Sequence, residues 1–167
     1  MFWSYVLRFN EVLKKFIGYL VIFLFAAVVA TINIQIIFRY LLRSPLPWTM
    51  EVAQLFFIYF AIFAGGLALT YNAFTKVEFL VNSFPERLRK ALYIIVNALI
   101  AAFLIIAGQQ TGELIYHARI TNNITPALSV PMSIVYGIFQ IGLWISAFFA
   151  LTNILKVFVR EGPNGVH

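Results

Sequence analysis

The chain of 167 residues is 62% hydrophobic and 11% charged, with a mean hydropathy of +0.91 and a formal net charge of +6. Soluble domains carry about 25% charged residues, so this composition excludes an ordinary soluble fold. The basic residues flank apolar segments and form no stripe with interleaved aromatic side chains, so anionic lipid headgroups are the expected partner and nucleic acid is not. The absence of cysteine excludes disulfides and cysteine-ligated clusters.

Residues 1–15 are the first predicted element, a short amphipathic helix that lies along the membrane surface. Apolar side chains fall on one arc at about 100° per residue, while Arg8, Glu11 and Lys15 fall on the opposite arc. Such a helix suits the headgroup region. The alternative is that the segment is a cytoplasmic extension of the first span.

Four mostly apolar stretches, 17–38, 52–75, 91–112 and the membrane-length part of 120–155, carry no Lys, Arg, Asp or Glu. They predict four transmembrane helices, at about residues 16–38, 51–74, 88–112 and 131–156. A helix of about 22 residues reaches ~33 Å and crosses a hydrocarbon core of ~30 Å. The predicted fold is therefore an all-α membrane protein, with one membrane domain over residues 1–167. No Lys, Arg, Glu or His falls at mid-membrane depth, where carriers usually keep the ionisable groups that bind substrate.

The distribution of basic residues predicts the orientation. Nine of the twelve Lys and Arg residues lie in the N-terminal segment, the second loop and the C-terminal tail, whereas Arg39, Arg43 and Arg119 lie on the other side. Because cytoplasmic loops carry the excess of basic residues, both termini are expected in the cytoplasm and the first and third loops outside.

The first loop contains Ser44-Pro45-Leu46-Pro47-Trp48, whose two prolines predict a tight outer turn. If the second span begins just after Trp48, Glu51 lies in its first turn, where the helix dipole favours a carboxylate. Arg39 and Glu51 are then expected to brace the turn between the first two spans. Arg43 and Trp48, in the loop itself, remain available to partners.

The other two loops differ in polarity. Residues 76–90 are too apolar for a solvated loop and predict a second interfacial segment, with Pro85 and Glu86 opening the third span. The third loop is expected to hold Glu113 and His117, which are four residues apart and could pair on a helix face. An exposed pair of this kind is more often solvated surface than a site.

Small and polar residues within the spans indicate close helix packing. The adjacent Gly65 and Gly66 weaken a helix by ~1 kcal/mol each unless close packing compensates. Several amides fall inside the spans and are expected to hydrogen-bond between helices or to a partner, and contact between helices is favoured over substrate binding for them. They are Asn33, Gln35, Gln54, Asn97, Gln109, Gln110 and Gln140.

Enzyme function is not expected. The two histidines, His117 and His167, lie outside the predicted spans and cannot supply the paired axial ligands of a membrane haem protein. The chain has no Asp, no zinc-protease or phosphate-loop motif and no serine-hydrolase elbow. No catalytic residue, cofactor or metal ligand is therefore assigned.

Several segments together resemble the small membrane subunit of tripartite ATP-independent periplasmic (TRAP) transporters, the DctQ-like family. The likeness runs from about Ile34 to Gly142. The segments are Arg39-Tyr40 with Pro47-Trp48-Thr49-Met50-Glu51, the pair Gly65-Gly66, Lys76-Val77-Glu78-Phe79-Leu80, Pro85-Glu86-Arg87, and Thr125-Pro126-Ala127-Leu128-Ser129-Val130-Pro131.

The resemblance implies a non-catalytic subunit in the bacterial inner membrane. It would bind a larger membrane subunit that holds the sodium-coupled, elevator-type pathway, and a periplasmic binding protein would deliver an organic acid anion. The small subunit would enlarge the static scaffold against which the transport domain moves. The residues expected at partner interfaces are Arg39, Arg43, Trp48, Glu51, Gly65 and Gly66.

An alternative from another class is a small four-span transporter or channel formed by self-association. It would need polar groups along a pore, for which Asn33, Gln35 and Gln109 are the candidates. A membrane-bound electron-transfer enzyme is disfavoured by the histidine count.

Overall fold

The structure, a computed structural model, describes residues 2–44, 46–71 and 85–160, and within them it consists of four long helices. They are α1 (Phe2–Ile36), α2 (Pro47–Thr70), α3 (Glu86–Ile120) and α4 (Met132–Arg160). A π-helical segment, Ile37–Leu41, prolongs α1. All four helices are long and apolar enough to cross a membrane. The predicted all-α membrane fold with four spans is confirmed.

The N-terminal segment is helical, as predicted, and continues into the first span without a break. The 35 residues of α1 extend over ~52 Å, well beyond the thickness of the hydrocarbon core. A continuous helix is what the alternative, an extension of the first span, predicts for residues 1–15. Most of the interfacial segment predicted at residues 76–90, residues 76–84, lies outside the described residues. Helix α3 begins at Glu86 directly after Pro85, as expected.

Helix α3 continues past the predicted end of the third span at residue 112 and ends at Ile120. No proline interrupts α3 before Thr121, whose hydroxyl donates to the His117 carbonyl at 2.8 Å, and Asn122 then turns the chain with a φ of 47°. Glu113 and His117 therefore lie on a helix rather than in a loop, yet they form no ion pair within the described structure.

The helices pack in the spatial order α1, α2, α4, α3, so α2 and α4 are central. Two apolar clusters fill the contacts, one joining α1, α2 and α4 and the other joining α2, α3 and α4. The first contains Ile17, Leu24, Tyr59, Phe63, Val135 and Phe149; the second contains Leu69, Ala101, Leu104, Leu143, Ala147 and Ala150. Because α1 and α3 each pack mainly against one neighbour, both have long faces that the described residues do not cover.

Buried amides join the helices at the end of the bundle opposite the first loop. Asn153 of α4 donates to the Leu69 carbonyl of α2 at 2.7 Å. Asn10 of α1 lies 3.5 Å from the Thr152 hydroxyl of α4 and is 1% exposed. If one helix shifted along its neighbour, these buried polar groups would lose their partners, at a cost of ~1–3 kcal/mol for each group. The contacts therefore fix the positions of α1, α2 and α4 along the bundle axis.

Candidate partner-contact surface

The first loop is a short, exposed connection between α1 and α2. Arg43 adopts a left-handed backbone conformation with a φ of 51° and is exposed. The Arg39 guanidinium lies 5.8 Å from the ring centroid of Tyr40, its neighbour in the chain. Pro47 is the first residue of α2, a position at which the backbone N–H has no acceptor within the helix, so proline loses no hydrogen bond there. Trp48 is 41% exposed.

Glu51 joins the second helix to the third loop. Its Oε2 accepts hydrogen bonds from the backbone N–H groups of Ala127 and Leu128, at 2.9 and 2.8 Å. A carboxylate suits two adjacent amide donors because a charged acceptor makes shorter and stronger hydrogen bonds than a neutral one. Residues separated by 76 and 77 positions in the chain are therefore held at one point.

The third loop is a compact turn with its own hydrogen-bond network. The amide and carbonyl of Thr125 pair with Val130 and Ser129, and the Thr125 hydroxyl accepts from the Val130 N–H at 3.0 Å. Met132 N–H donates to the Asn123 carbonyl at 2.9 Å, which closes the base of the loop. Thr125 is buried, at 2% exposed, and the loop backbone is held by these hydrogen bonds and by the carboxylate of Glu51.

The prediction that Arg39 and Glu51 together brace the turn between the first two helices is wrong. Helix α2 begins at Pro47 rather than after Trp48, so Glu51 lies beyond the first turn. Its carboxylate is bound to loop amides, and it forms no ion pair with Arg39 or Arg43 in the described part of the chain. The sequence contains the partner segment, Pro126 to Leu128, but no pattern links backbone amides to an acid so far away in the chain.

The two adjacent glycines of α2 have different surroundings. A Cβ atom at Gly66 would contact the Ser146 Oγ and lie 3.0 Å from the Cβ and 3.3 Å from the Cα of Ser146. A Cβ atom at Gly65 would meet nothing within 4 Å. Gly66 therefore permits the close approach of α2 to α4, whereas Gly65 faces away from the described helices. Close packing was expected for the pair, and the structure assigns it to Gly66.

Helix α3 approaches α4 closely at two further glycines. A Cβ at Gly108 would lie 3.3 Å from the Trp144 ring, and one at Gly112 would lie 3.2 Å from the Gln140 amide nitrogen. Gln140 also donates to the Gly108 carbonyl at 2.8 Å. This hydrogen bond fixes the register of the two helices.

The amides within the spans divide into three groups. Gln140 bonds to another helix, as expected. Asn33 and Asn97 instead donate to carbonyls of their own helix, four residues earlier. Gln54, Gln109 and Gln110, which are exposed, and the half-buried Gln35 make no hydrogen bond within the described structure. The interpretation as contacts between this chain's own helices therefore holds for one of these residues rather than for the set.

Comparison with known proteins places these features in a family. Residues 28–160 match the family model of the DctQ component of tripartite ATP-independent periplasmic transporters. The chain is 27% identical over 139 residues to the sialic acid TRAP transporter small permease protein SiaQ of Vibrio cholerae, which covers 79% of both chains. It is 34% identical over 67 residues to the sialic acid TRAP transporter permease protein SiaT of Haemophilus influenzae. That match covers 40% of this chain and 11% of the relative.

Proposed function

This chain belongs to the DctQ component family of tripartite ATP-independent periplasmic transporters, and we propose that it supports a large permease subunit as a non-catalytic scaffold. The complex would take up an organic acid anion, coupled to sodium, from a periplasmic binding protein. The small subunit would remain static and provide a wall against which the large subunit's transport domain moves.

The interior of the four-helix bundle is the observation that carries this proposal. Apolar side chains and close glycine contacts fill the space between the helices. Among the residues for which burial is described, none that is buried carries a formal charge. Transport of an anion requires groups that compensate its charge inside the membrane. One copy of this chain offers no such pathway in its described interior, which suits a supporting role.

The relation to the longer relative supports a large partner in the same membrane. A segment of 67 residues similar to this chain makes up 11% of the SiaT permease. In that relative, a segment similar to part of this chain belongs to the same polypeptide as a much longer remainder. The SiaQ relative, matched over 79% of both chains, is named a small permease protein, so we infer that the large permease is a separate subunit here and that it packs against the helix faces that the described residues leave uncovered.

The first-loop end of the bundle suits contact with the binding protein. Arg43 and Trp48 are exposed there, close in sequence to Glu51, which holds the ordered third loop. A structured surface loses less conformational entropy on docking than a flexible one. The proposal places this end in the periplasm and both termini in the cytoplasm.

Reconstitution tests the division of labour. Liposomes that contain this chain alone should take up no sialic acid or dicarboxylate under an inward sodium gradient. Addition of the large permease subunit and the binding protein should give sodium-dependent uptake of the cognate anion. Liposomes with the large subunit and binding protein but without this chain are the matched control. Uptake by this chain alone would favour the self-associating transporter or channel and overturn the scaffold role.

Cysteine labelling tests the orientation. The chain has no native cysteine, so single substitutions report one position each. Ser44→Cys in the first loop and Asn122→Cys in the third loop should react with an impermeant thiol reagent from the periplasmic side. Ser83→Cys, in the connection between α2 and α3, should react only after the membrane is permeabilised. The reverse pattern would place the termini in the periplasm.

A further inference from the structure

A row of polar side chains runs along an uncovered edge of α3, from the membrane interior towards its surface. Gln109, Glu113 and His117 are spaced by four residues and therefore share one face, with Gln110 beside them. All four are exposed. We call these four residues the α3 polar edge.

Contacts between the helices place this edge at membrane depth. Gln140 and Gly108 lie at one level, because the Gln140 amide donates to the Gly108 carbonyl. The α4 span covers Met132–Leu155, 24 residues, so Gln140 lies ~5 Å from its middle. At 1.5 Å per residue along the antiparallel α3, Gln109 and Gln110 fall ~7–8 Å from that middle.

Glu113 lies ~13 Å from the middle by the same measure, inside the ~15 Å half-thickness of the hydrocarbon core. His117 lies beyond it, at headgroup level. In the described structure the side chains of Gln109, Gln110 and Glu113 make no hydrogen bond or ion pair. Exposed amides and a carboxylate at these depths are costly against lipid and are usually turned towards protein.

The comparison with α1 shows that the edge is not a general property of uncovered faces. The uncovered face of α1 at similar depth is mostly apolar, with Val29 43% and Ile32 42% exposed, and the exposed Asn33 amide there donates to the Val29 carbonyl of its own helix. The apolar half of the uncovered α3 face is likewise suited to lipid, with Leu99 65% and Phe103 69% exposed. The exposed face of α3 is therefore apolar at Leu99 and Phe103 and becomes polar from Gln109 onwards.

We propose that the α3 polar edge is the docking surface for the large permease subunit. The chemistry requires a partner helix with hydrogen-bonding side chains at the level of Gln109 and Gln110, and a donor, cationic or hydroxyl, facing Glu113. The 67-residue match within a much longer permease, together with the similarity to a protein named a small permease, supports this occupant over a lipid or a second copy. The inference rests on the proposed function and names the surface that the partner uses.

Photo-crosslinking tests the position of the surface in the intact complex. A benzophenone amino acid at position 110 or 113 should form an adduct with the large subunit. The same probe at position 29 or 32 on α1 is the depth-matched comparison and should label lipid. Adducts at positions 29 and 32 but not at 110 or 113 would overturn the inference, as would adducts between two copies of this chain.

Substitution tests the polar chemistry. The double variant Gln109→Leu with Gln110→Leu should keep the melting temperature of the isolated chain or raise it, because apolar side chains suit lipid. It should reduce the large subunit that co-purifies by about tenfold, since hydrogen bonds between membrane helices contribute modestly but add up. A lower melting temperature of the isolated chain, or an unchanged complex yield, would refute the docking role.

The parent chain separates the two proposals. If the parent fails to co-purify with the large subunit, the scaffold function fails. If the parent assembles and the crosslinks and the Leu variants show no role for α3, the docking surface alone is wrong.

Discussion

The Gly66→Ala variant should unfold at a clearly lower temperature than the parent, whereas Gly65→Ala should not. The added methyl at Gly66 meets the Ser146 side chain and the backbone Cα of Ser146, 3.3 Å away. A change of side-chain rotamer cannot move the Ser146 Cα away from the methyl, so α2 and α4 must move apart. Overpacking of this kind costs ~1–3 kcal/mol. At Gly65 the methyl enters open space, and alanine is the better helix former by about 1 kcal/mol.

A compensating substitution makes the test specific. Ser146→Gly removes the Oγ and Cβ that the Gly66→Ala methyl would meet, so the double variant should recover much of the lost stability. Ser146→Gly alone loses its hydrogen bond to the Gly142 carbonyl and provides the baseline for the cycle. Thermal melting in detergent and in lipid nanodiscs measures all four proteins. Equal melting temperatures for Gly65→Ala and Gly66→Ala would contradict the packing described here.

The sequence predicts the spans well because their signal is local. Length and apolarity alone identify four helices, and Pro85 with Glu86 correctly marks the start of α3. The boundaries near polar residues are harder. Helix α3 continues through Glu113 and His117 because helical hydrogen bonding does not depend on whether its surface faces lipid or water. Hydropathy ends a span at the first charge, but the helix ends where Asn122 reverses the chain.

The candidate site is less accessible to sequence reasoning because its contacts are distant in the chain. Glycine spacing indicates that α2 packs closely, but it cannot say that Gly66 faces Ser146 while Gly65 faces outward. The same limit applies to Glu51. Its nearest charged residues in sequence are arginines, yet its partners are two backbone amides that follow Pro126. Backbone donors have no signature in the amino-acid sequence.

The Glu51→Ala variant should loosen the third loop without unfolding the bundle. The substitution leaves the Ala127 and Leu128 amides without their acceptor. A hydrogen bond to a charged group contributes ~1.5–3 kcal/mol, which corresponds to amide exchange faster by roughly 10- to 150-fold at these two positions. Hydrogen exchange followed by mass spectrometry of the loop peptide measures this change, and peptides from the centre of α4 should keep their protection.

Two variants separate the hydrogen bonds from the charge. Glu51→Gln keeps a carbonyl oxygen that can accept from the same amides but removes the charge, so its loop should exchange at an intermediate rate. Arg43→Ala removes a charge from the same end of the bundle. The Arg43 side chain is exposed and binds nothing in the described structure, so the third loop of this variant should remain protected from exchange. Parent-like exchange in Glu51→Ala would show that the loop stands without the carboxylate.

The functional consequence of this loosening depends on what the third loop does. If the loop is part of the surface that receives the binding protein, Glu51→Ala should weaken docking while the large subunit still co-purifies. Arg43→Ala should also weaken docking, more strongly at low ionic strength, because salt screens an exposed charge. If Glu51→Gln melts and assembles like the parent and its loop stays protected, yet uptake is abolished, then the charge of Glu51 acts in transport itself and a purely structural role for this carboxylate is wrong.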